Sequence, residues 1–298
     1  MKIKKLTLKS WFFFCFPLLV CAFEWPVADK RVATTFGQNV SGGFNTGIEL
    51  LGRDETVYPI ADGEVIFACD ENSSYTSLPR GAGSFMILYH EGDIHSVYSH
   101  LKRGSLQIPE SGRLARGEPL GVSGNTGAST GGSLFLQIID VEENLLLNPL
   151  KQLSPEPEDN AKPVIESVVL VRDNLGRELV DNSVILPGQI ALHIGTRDRQ
   201  QNRSQSFHMY TPYKITLSRD GVEVFNLVFD ALRVVEQHFV LNSTGQSYSE
   251  IYTPDGLIDL GELNLVQGIT HFRFLVTDYG AGEGNSISKD LVVTVTGE

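Results

Sequence analysis

The side chains that could bind a metal or transfer a proton lie in two short segments of this sequence. Asn45 and Glu49 stand four residues apart, and His90, His95 and His100 follow in a stretch rich in apolar residues. Imidazoles and carboxylates are common zinc ligands, and both groups also act as general acids or bases in hydrolases. These residue types suit a metal-assisted hydrolytic site, and their positions decide whether such a site is complete.

A third segment is strand-like, and its polar and apolar residues alternate. Side chains two apart on a strand share a face, which predicts one face carrying Ser133, Phe135 and Gln137. The opposite face is predicted to be core, with Leu134, Leu136 and Ile138. Phenylalanine has no lone pair for a metal, and serine is a poor zinc ligand at neutral pH. The polar face of this strand therefore lacks nitrogen donors.

Together these segments resemble the lysostaphin-type (LytM-like) zinc endopeptidases. That family has a His-x-Gly-x-Asp pattern, where this sequence has Asn45-Thr-Gly-Ile-Glu49. It also has a Ser-Thr-Gly-Pro turn followed by His-Leu-His, where this sequence has Ser129-Thr-Gly-Gly132 and then Ser133-Leu-Phe135. The family landmark Tyr-x-His-Leu is intact as Tyr98-Ser-His-Leu101, and the resemblance extends over residues 36–153.

The resemblance implies a role for each matched position. Asn45, Glu49 and Phe135 stand where the family has its three metal ligands, and only Glu49 keeps a carboxylate. His100 and Ser133 stand where the family has catalytic-site histidines and would be vestigial without a metal. We therefore predict no bound metal and no other cofactor. The expected binding groove comprises Asn45, Glu49, Tyr98, His100, Ser133, Phe135 and Gln137.

Three functions remain open at this point. The first is a noncatalytic module of the cell envelope that binds a peptidoglycan peptide or regulates an envelope protein such as a wall hydrolase. The second is an active zinc metalloendopeptidase that cleaves peptidoglycan peptides, with Glu49, His100 and either His90 or His95 forming a remodelled site. The third is an architectural envelope protein whose groove is unused. The resemblance and the missing histidines favour the first.

The first 22 residues are expected to be a signal peptide. They combine a lysine-rich start with a short apolar core, which is the pattern of a secretory signal. The apolar run is too short for an ordinary membrane span. Export to the periplasm or cell envelope is therefore expected, by simple cleavage or, alternatively, with a lipid anchor at Cys21.

Composition limits the remaining partners. The chain has 298 residues, 41% of them hydrophobic, which is enough for two domains with cores of their own. Its formal net charge of −12 disfavours nonspecific binding of nucleic acid or anionic lipid. No nucleic-acid partner is expected.

The pattern of short apolar runs separated by glycine-rich turns predicts an all-β fold. A Pro- and acid-rich stretch at 154–163 reads as a linker. It would separate a two-sheet antiparallel LytM-like domain at 23–153 from a second domain at 164–298. The regular alternating strands of the second domain loosely resemble an immunoglobulin-like β-sandwich.

Overall fold

The computed structural model of the chain describes residues 23–71, 81–156, 159, 161–198, 210–280 and 284–297. The predicted signal peptide and Cys21 lie outside these residues. Regular structure within them comprises a 3₁₀ helix (Pro149–Lys151), the short helix α1 (Tyr248–Ile251) and the following strands. They are β1 (Phe23–Glu24), β2 (Val32–Thr34), β3 (Asn39–Val40), β4 (Gly43–Phe44), β5 (Ile48–Leu51), β6 (Thr56–Val57), β7 (Gly63–Cys69), β8 (Ser84–His90), β9 (Ile94–Leu101), β10 (Arg113–Leu114), β11 (Gly121–Val122), β12 (Ser133–Asp140), β13 (Leu145–Leu147), β14 (Leu153–Ser154), β15 (Val164–Arg172), β16 (Leu175–Glu178), β17 (Ser183–Ile185), β18 (Gly188–Arg197), β19 (Lys214–Arg219), β20 (Val222–Val228), β21 (Ala231–Val235), β22 (His238–Leu241), β23 (Ile258–Leu265), β24 (Gly268–Thr277) and β25 (Ser286–Val295).

One large antiparallel sheet dominates the first half of the chain. Its order is β10-β7-β8-β9-β12-β13-β21-β22, and β5 pairs with both β12 and β2. Small two-stranded sheets join β6 to β11, β3 to β4 and β1 to β14. The predicted all-β fold of the LytM type is confirmed for this half.

The side chains of β12 alternate between the core and the opposite face of the sheet, as the sequence predicts. Leu134, Leu136 and Ile138 are at most 1% exposed and lie in the core with Ile48 and Met86. Burying such side chains stabilises the fold by about 1.5–3 kcal/mol each. The core face of β12 therefore fixes which side chains its other face presents.

The second half of the chain contains two further sheets. One has the order β16-β15-β18-β23, and the other has the order β17-β25-β24-β19-β20, with β17 and β25 parallel. Their buried side chains include Val168 and Leu192 from the first of these sheets and Leu217, Phe272 and Phe274 from the second. The immunoglobulin-like assignment and the boundaries at 153 and 164 stay predictions.

The two halves share one sheet. The hairpin of β21 and β22 comes from the second half, yet β21 pairs with β13 and so extends the large sheet. The strand patterns gave no sign of this pairing. No helix within the described ranges combines the length and the apolar character needed to cross a membrane.

Candidate functional site

The floor of the candidate groove is formed where β12 lies between β5 and β9. Phe135 is opposite Glu49 on β5 and opposite Ser99 on β9. Directly opposite residues of antiparallel strands have Cβ atoms about 4.5–5.5 Å apart. The side chains of Glu49, Phe135 and Ser99 therefore form a row across one face of the sheet.

Glu49 is engaged by a hydroxyl group. Ser133 Oγ donates a hydrogen bond of 2.7 Å to Glu49 Oε1. Ser133 is 2% exposed, and its Oγ lies 3.2 Å from Ser129 Oγ. The surviving carboxylate of the motif thus sits at the end of a short chain of hydroxyl groups.

Asn45 is buried, and its amide nitrogen faces acceptors. Asn45 Nδ2 lies 2.8 Å from Thr35 O, 3.0 Å from Gly47 O and 3.0 Å from Thr34 Oγ1. Two of these acceptors are backbone carbonyls, which fixes the orientation of the amide because a carbonyl accepts only from an N–H group. The Asn45 side chain therefore ties together the loop in which it stands.

His100 is held beside Phe135 by an unusual backbone conformation. Its φ angle is +66°, which is uncommon for a residue other than glycine. His100 Nδ1 lies 2.9 Å from Thr126 O, and because the carbonyl can only accept, Nδ1 carries the proton. The ring centroids of His100 and Phe135 are 6.0 Å apart. The imidazole therefore packs against a phenyl ring at the position where the resemblance implies a metal ligand.

One edge of the groove is the segment that carries Asn45 and leads into β5, close to β12. Gln137 Nε2 donates to Thr46 Oγ1 at 2.8 Å. A Cβ atom on Gly47 would lie 2.3 Å from Leu136 O and 3.0 Å from Phe135 Cζ. Only glycine allows this close approach, so Gly47 sets the distance between the segment and the floor.

Tyr98 does not line the groove, and its prediction as a groove residue is wrong. Its side chain is fully buried, because Tyr98 is opposite the core residues Leu136 and Met86. The Tyr98 hydroxyl accepts a hydrogen bond of 2.8 Å from Ile60 N. Burial raises the pKa of Tyr98 well above its ordinary value.

His90 and His95 do not converge on Glu49. His90 is 2% exposed, and its Nδ1 and Nε2 lie 2.9 Å from Asp62 O and 2.7 Å from Ser96 Oγ. Desolvation by burial lowers the pKa of His90, which keeps the ring neutral. The His95 ring packs edge-on to the Tyr89 ring with centroids 5.7 Å apart. Both rings therefore take part in contacts away from the carboxylate.

A carboxylate cluster lies elsewhere. Within the described ranges, the three groups that come close enough to share a cation are Asp159, Asp198 and Asp278, whose ligand atoms lie within 4.8 Å of one another. Asp278 Oδ1 already accepts from Gly280 N and Asn285 N, both at 2.7 Å. Asp198 follows β18 and Asp278 follows β24, and nothing in the sequence predicts that these two residues meet.

Sequence reasoning missed several residues that shape the groove. Thr46, Ser99, Thr126 and Ser129 all contact or flank the predicted site residues. Ser99 could have been found from strand alternation. It is adjacent to the core residue Tyr98 and so points to the other face of β9, where it is opposite Phe135. The others act through turn geometry, for which the sequence carries only the general signal of small polar residues.

The resemblance carried by the motifs agrees with a comparison against family models. The model described as "Peptidase family M23" matches residues 43–149. Residues 43–149 therefore form a LytM-like domain similar to peptidase family M23. A second family model, which has no functional description, matches residues 162–294.

Proteins similar to the M23 domain include the murein hydrolase activator NlpD of Escherichia coli, which is 29% identical over 112 residues. The match covers 37% of this chain and 26% of NlpD, so the chain spans about a quarter of the length of that relative. NlpD of Salmonella dublin matches to the same extent. An uncharacterized protein of Treponema pallidum is 28% identical over 107 residues, which are 31% of this chain and 73% of that protein.

Solved structures similar to the M23 domain include a zinc-containing peptidase from Vibrio cholerae. It has 19% identity and a TM-score of 0.37, covering 46% of this chain and 41% of that one. A chain of the SpoIIQ–SpoIIIAH pore-forming complex has 18% identity and a TM-score of 0.36, covering 44% of this chain and 90% of that one.

Proposed function

We propose that this protein is an exported, noncatalytic M23 homologue that acts in the cell envelope as a peptidoglycan-binding or hydrolase-regulating module. Its groove would bind a peptide of the wall or a segment of a wall hydrolase. Export rests on the signal-like residues 1–22, and a lipid anchor at Cys21 is the alternative to simple cleavage.

The chemistry of the three inferred ligand positions carries this proposal. A catalytic zinc ion takes three protein ligands and leaves a position for water. Asn45 directs its amide nitrogen, a donor, at two carbonyls, and Phe135 has no donor atom for a metal. Glu49 alone keeps a carboxylate, whereas the Asn45 amide oxygen is a weak zinc ligand. Glu49 also accepts a hydrogen bond from Ser133. This set of side chains does not fit a catalytic zinc ion.

The same side chains suit recognition of a peptide. Glu49 supplies a negative charge beside the apolar surface of Phe135, and Gln137 and His100 add polar groups on the same floor. A carboxylate recognises an ammonium or amide group of a ligand through charge-assisted hydrogen bonds. The negative charge of the whole chain, −12, favours a neutral or basic partner.

The relatives support a regulatory role in preference to a catalytic one. NlpD is named a murein hydrolase activator, and its similarity covers 37% of this chain. A function in which the domain binds and does not cleave therefore agrees with both the relative and the altered ligand positions.

The proposal is tested by cosedimentation with purified peptidoglycan sacculi, using residues 23–298 of the chain. We expect the wild type to cosediment and Glu49→Ala to lose most of its binding. Glu142→Ala is the matched control, because Glu142 is an exposed acidic residue in the turn after β12. Equal binding by all three proteins would contradict the proposed groove.

A second assay separates binding from catalysis. Release of dye from labelled sacculi is measured with added zinc, first with this protein alone and then with a purified peptidoglycan amidase. We expect no release by the protein alone and faster release by the amidase in its presence if the module regulates hydrolases. Zinc-dependent release that disappears in Glu49→Ala would make the protein an active peptidase.

A further inference from the structure

The second domain extends the sheet that forms the groove floor. β21 pairs with every residue of β13, and β13 pairs in turn with β12. Next to this junction, Asn148 Nδ2 donates a hydrogen bond of 2.6 Å to Phe229 O. The M23 domain and the second domain are therefore joined by backbone pairing as well as by the linker.

Three buried tyrosines of the second domain reach the backbone that leads into the groove edge. The hydrogen bonds run from Tyr210 Oη to Val32 O (2.6 Å), from Tyr279 Oη to Phe36 O (3.3 Å) and from Tyr252 Oη to Gly37 O (3.0 Å). Burial raises the pKa of Tyr210 to about 12 and raises the pKa values of the other two as well. All three hydroxyls therefore stay protonated and act as donors at neutral pH.

Aromatic rings of the second domain also enclose the residue that precedes Asn45. The Phe44 ring packs edge-on to Tyr248, with centroids 5.6 Å apart, and to Tyr252 at 6.3 Å. Tyr248 and Tyr252 are in turn 5.2 Å apart. A Cβ atom on Gly37 would lie 2.3 Å from Phe229 Cδ1. The segment from Gly37 to Phe44 is thus packed closely against the second domain at both of its ends.

The hairpin between these contacts has little support of its own. Its strands β3 and β4 are two residues each, and it is closed by hydrogen bonds from Gly37 N to Asn45 O and from Asn45 N to Gln38 O, both 2.8 Å. An isolated hairpin of this size is not stable in water. The position of the hairpin therefore depends on the side chains that pack against it.

We propose that Tyr248 and Tyr252 of the second domain are positioning residues for the groove of the M23 domain. They hold the hairpin at 37–45, which sets the place of the edge formed by Asn45, Thr46 and Gly47. The expected effect on ligand affinity rests on the proposed function, because a displaced edge weakens the binding of a ligand in the groove. The groove is then the product of two domains, although the family model that matches it ends at residue 149.

The test compares Tyr248→Ala and Tyr252→Phe with the wild type, using residues 23–298. The first variant removes the ring against Phe44, and the second removes only the hydroxyl that bonds Gly37 O. Val293→Ala is the control, because it opens a cavity in the core of the second domain at a fully buried residue of β25. It lowers stability without touching the hairpin.

Two quantities are measured well below the melting temperature of every variant. One is the amide hydrogen exchange of Gly37 and Asn45, and the other is the affinity for sacculi. In both tyrosine variants we expect exchange about fivefold faster and binding about fivefold weaker. This change follows loss of one intramolecular hydrogen bond in Tyr252→Phe and loss of the aromatic contact with Phe44 in Tyr248→Ala. Val293→Ala should match the wild type in both.

Each other outcome has a definite meaning. Unchanged exchange in both tyrosine variants overturns the proposal, and so does faster exchange with unchanged affinity. Weaker binding without faster exchange also overturns it, because the tyrosines would then contact the ligand directly. If the wild type itself does not bind sacculi, the proposed function fails, while the exchange of Gly37 and Asn45 still supports or overturns the positioning role.

Discussion

Ser133 Oγ donates a 2.7 Å hydrogen bond to Glu49 Oε1 and so links the first residue of β12 to the one carboxylate among the inferred metal-ligand positions. Ser133→Ala leaves the half-buried carboxylate without this donor. We expect the free energy of unfolding to fall by about 1 kcal/mol, measured by urea denaturation. The exposed Ser111 provides the control, and Ser111→Ala should change stability by less than about 0.5 kcal/mol. Equal effects of the two substitutions would mean that the Glu49 bond adds nothing.

Gly47 sets the spacing between the groove edge and β12. In Gly47→Ala the new methyl group meets the backbone oxygen of Leu136 at 2.3 Å, which a rotamer change cannot relieve. We expect a loss of about 2 kcal/mol in the free energy of unfolding together with weaker binding to sacculi. Gly131→Ala is the matched control, since a Cβ atom there meets nothing within 4 Å. A stable Gly47→Ala protein with normal binding would show that the edge can move freely.

Tyr98 contributes to the core through its hydroxyl as well as its ring. Tyr98→Phe removes the acceptor of the Ile60 N–H group and leaves that buried donor without this bond. The expected loss in the free energy of unfolding is about 2 kcal/mol. Tyr89→Phe serves for comparison, because the Tyr89 hydroxyl is exposed and lies 3.4 Å from Asp93 Oδ1. If chemical denaturation gave the same small change for both, the role of the buried hydroxyl would be refuted.

His90 makes stability depend on pH. Burial lowers its pKa below the ordinary value of 6.5, with the neighbouring His95 acting in the same direction and Asp62 in the opposite one. The unfolded chain therefore takes up a proton at His90 before the folded chain does, which stabilises the unfolded state as the pH falls below 6.5. Above that value the effect of His90 on stability is constant.

The corresponding experiment compares melting temperatures at about pH 7.5 and about pH 5.5. We expect the wild type to lose more stability over this interval than His90→Gln, which cannot titrate. The difference between the two proteins is the quantity of interest, because other groups titrate equally in both. Parallel pH profiles would mean that His90 has an unperturbed pKa.

Much of the groove floor could be predicted from the sequence, because strand alternation is a local property. Alternation predicted the core face of β12, and the resemblance to the zinc endopeptidases implied that Phe135 and Glu49 belong to one site. Tyr98 is not a groove residue because it lies opposite the core residues Leu136 and Met86. The φ angle of +66° at His100 breaks that alternation and turns the imidazole toward Phe135, while Tyr98 stays in the core.

The joining of the two domains could not be predicted in the same way. Pairing of β13 with β21 uses backbone groups, which every sequence has, and the two strands lie far apart along the chain. The tyrosine contacts could not be predicted either. The sequence does not distinguish a tyrosine that donates a hydrogen bond to a distant carbonyl from any other core aromatic residue. The Pro-rich stretch at 154–163 predicts a separation of domains and gives no information on how they pack.

The zinc content of the purified protein tests the central claim most directly. Residues 23–298 would be produced without a metal-binding tag in zinc-supplemented medium and measured by mass spectrometry of the metals. Because Phe135 offers no zinc ligand and the Asn45 amide oxygen is only a weak one, we expect far less than one zinc ion per chain, with no change in Glu49→Ala. About one zinc ion per chain that is lost in Glu49→Ala would contradict the account.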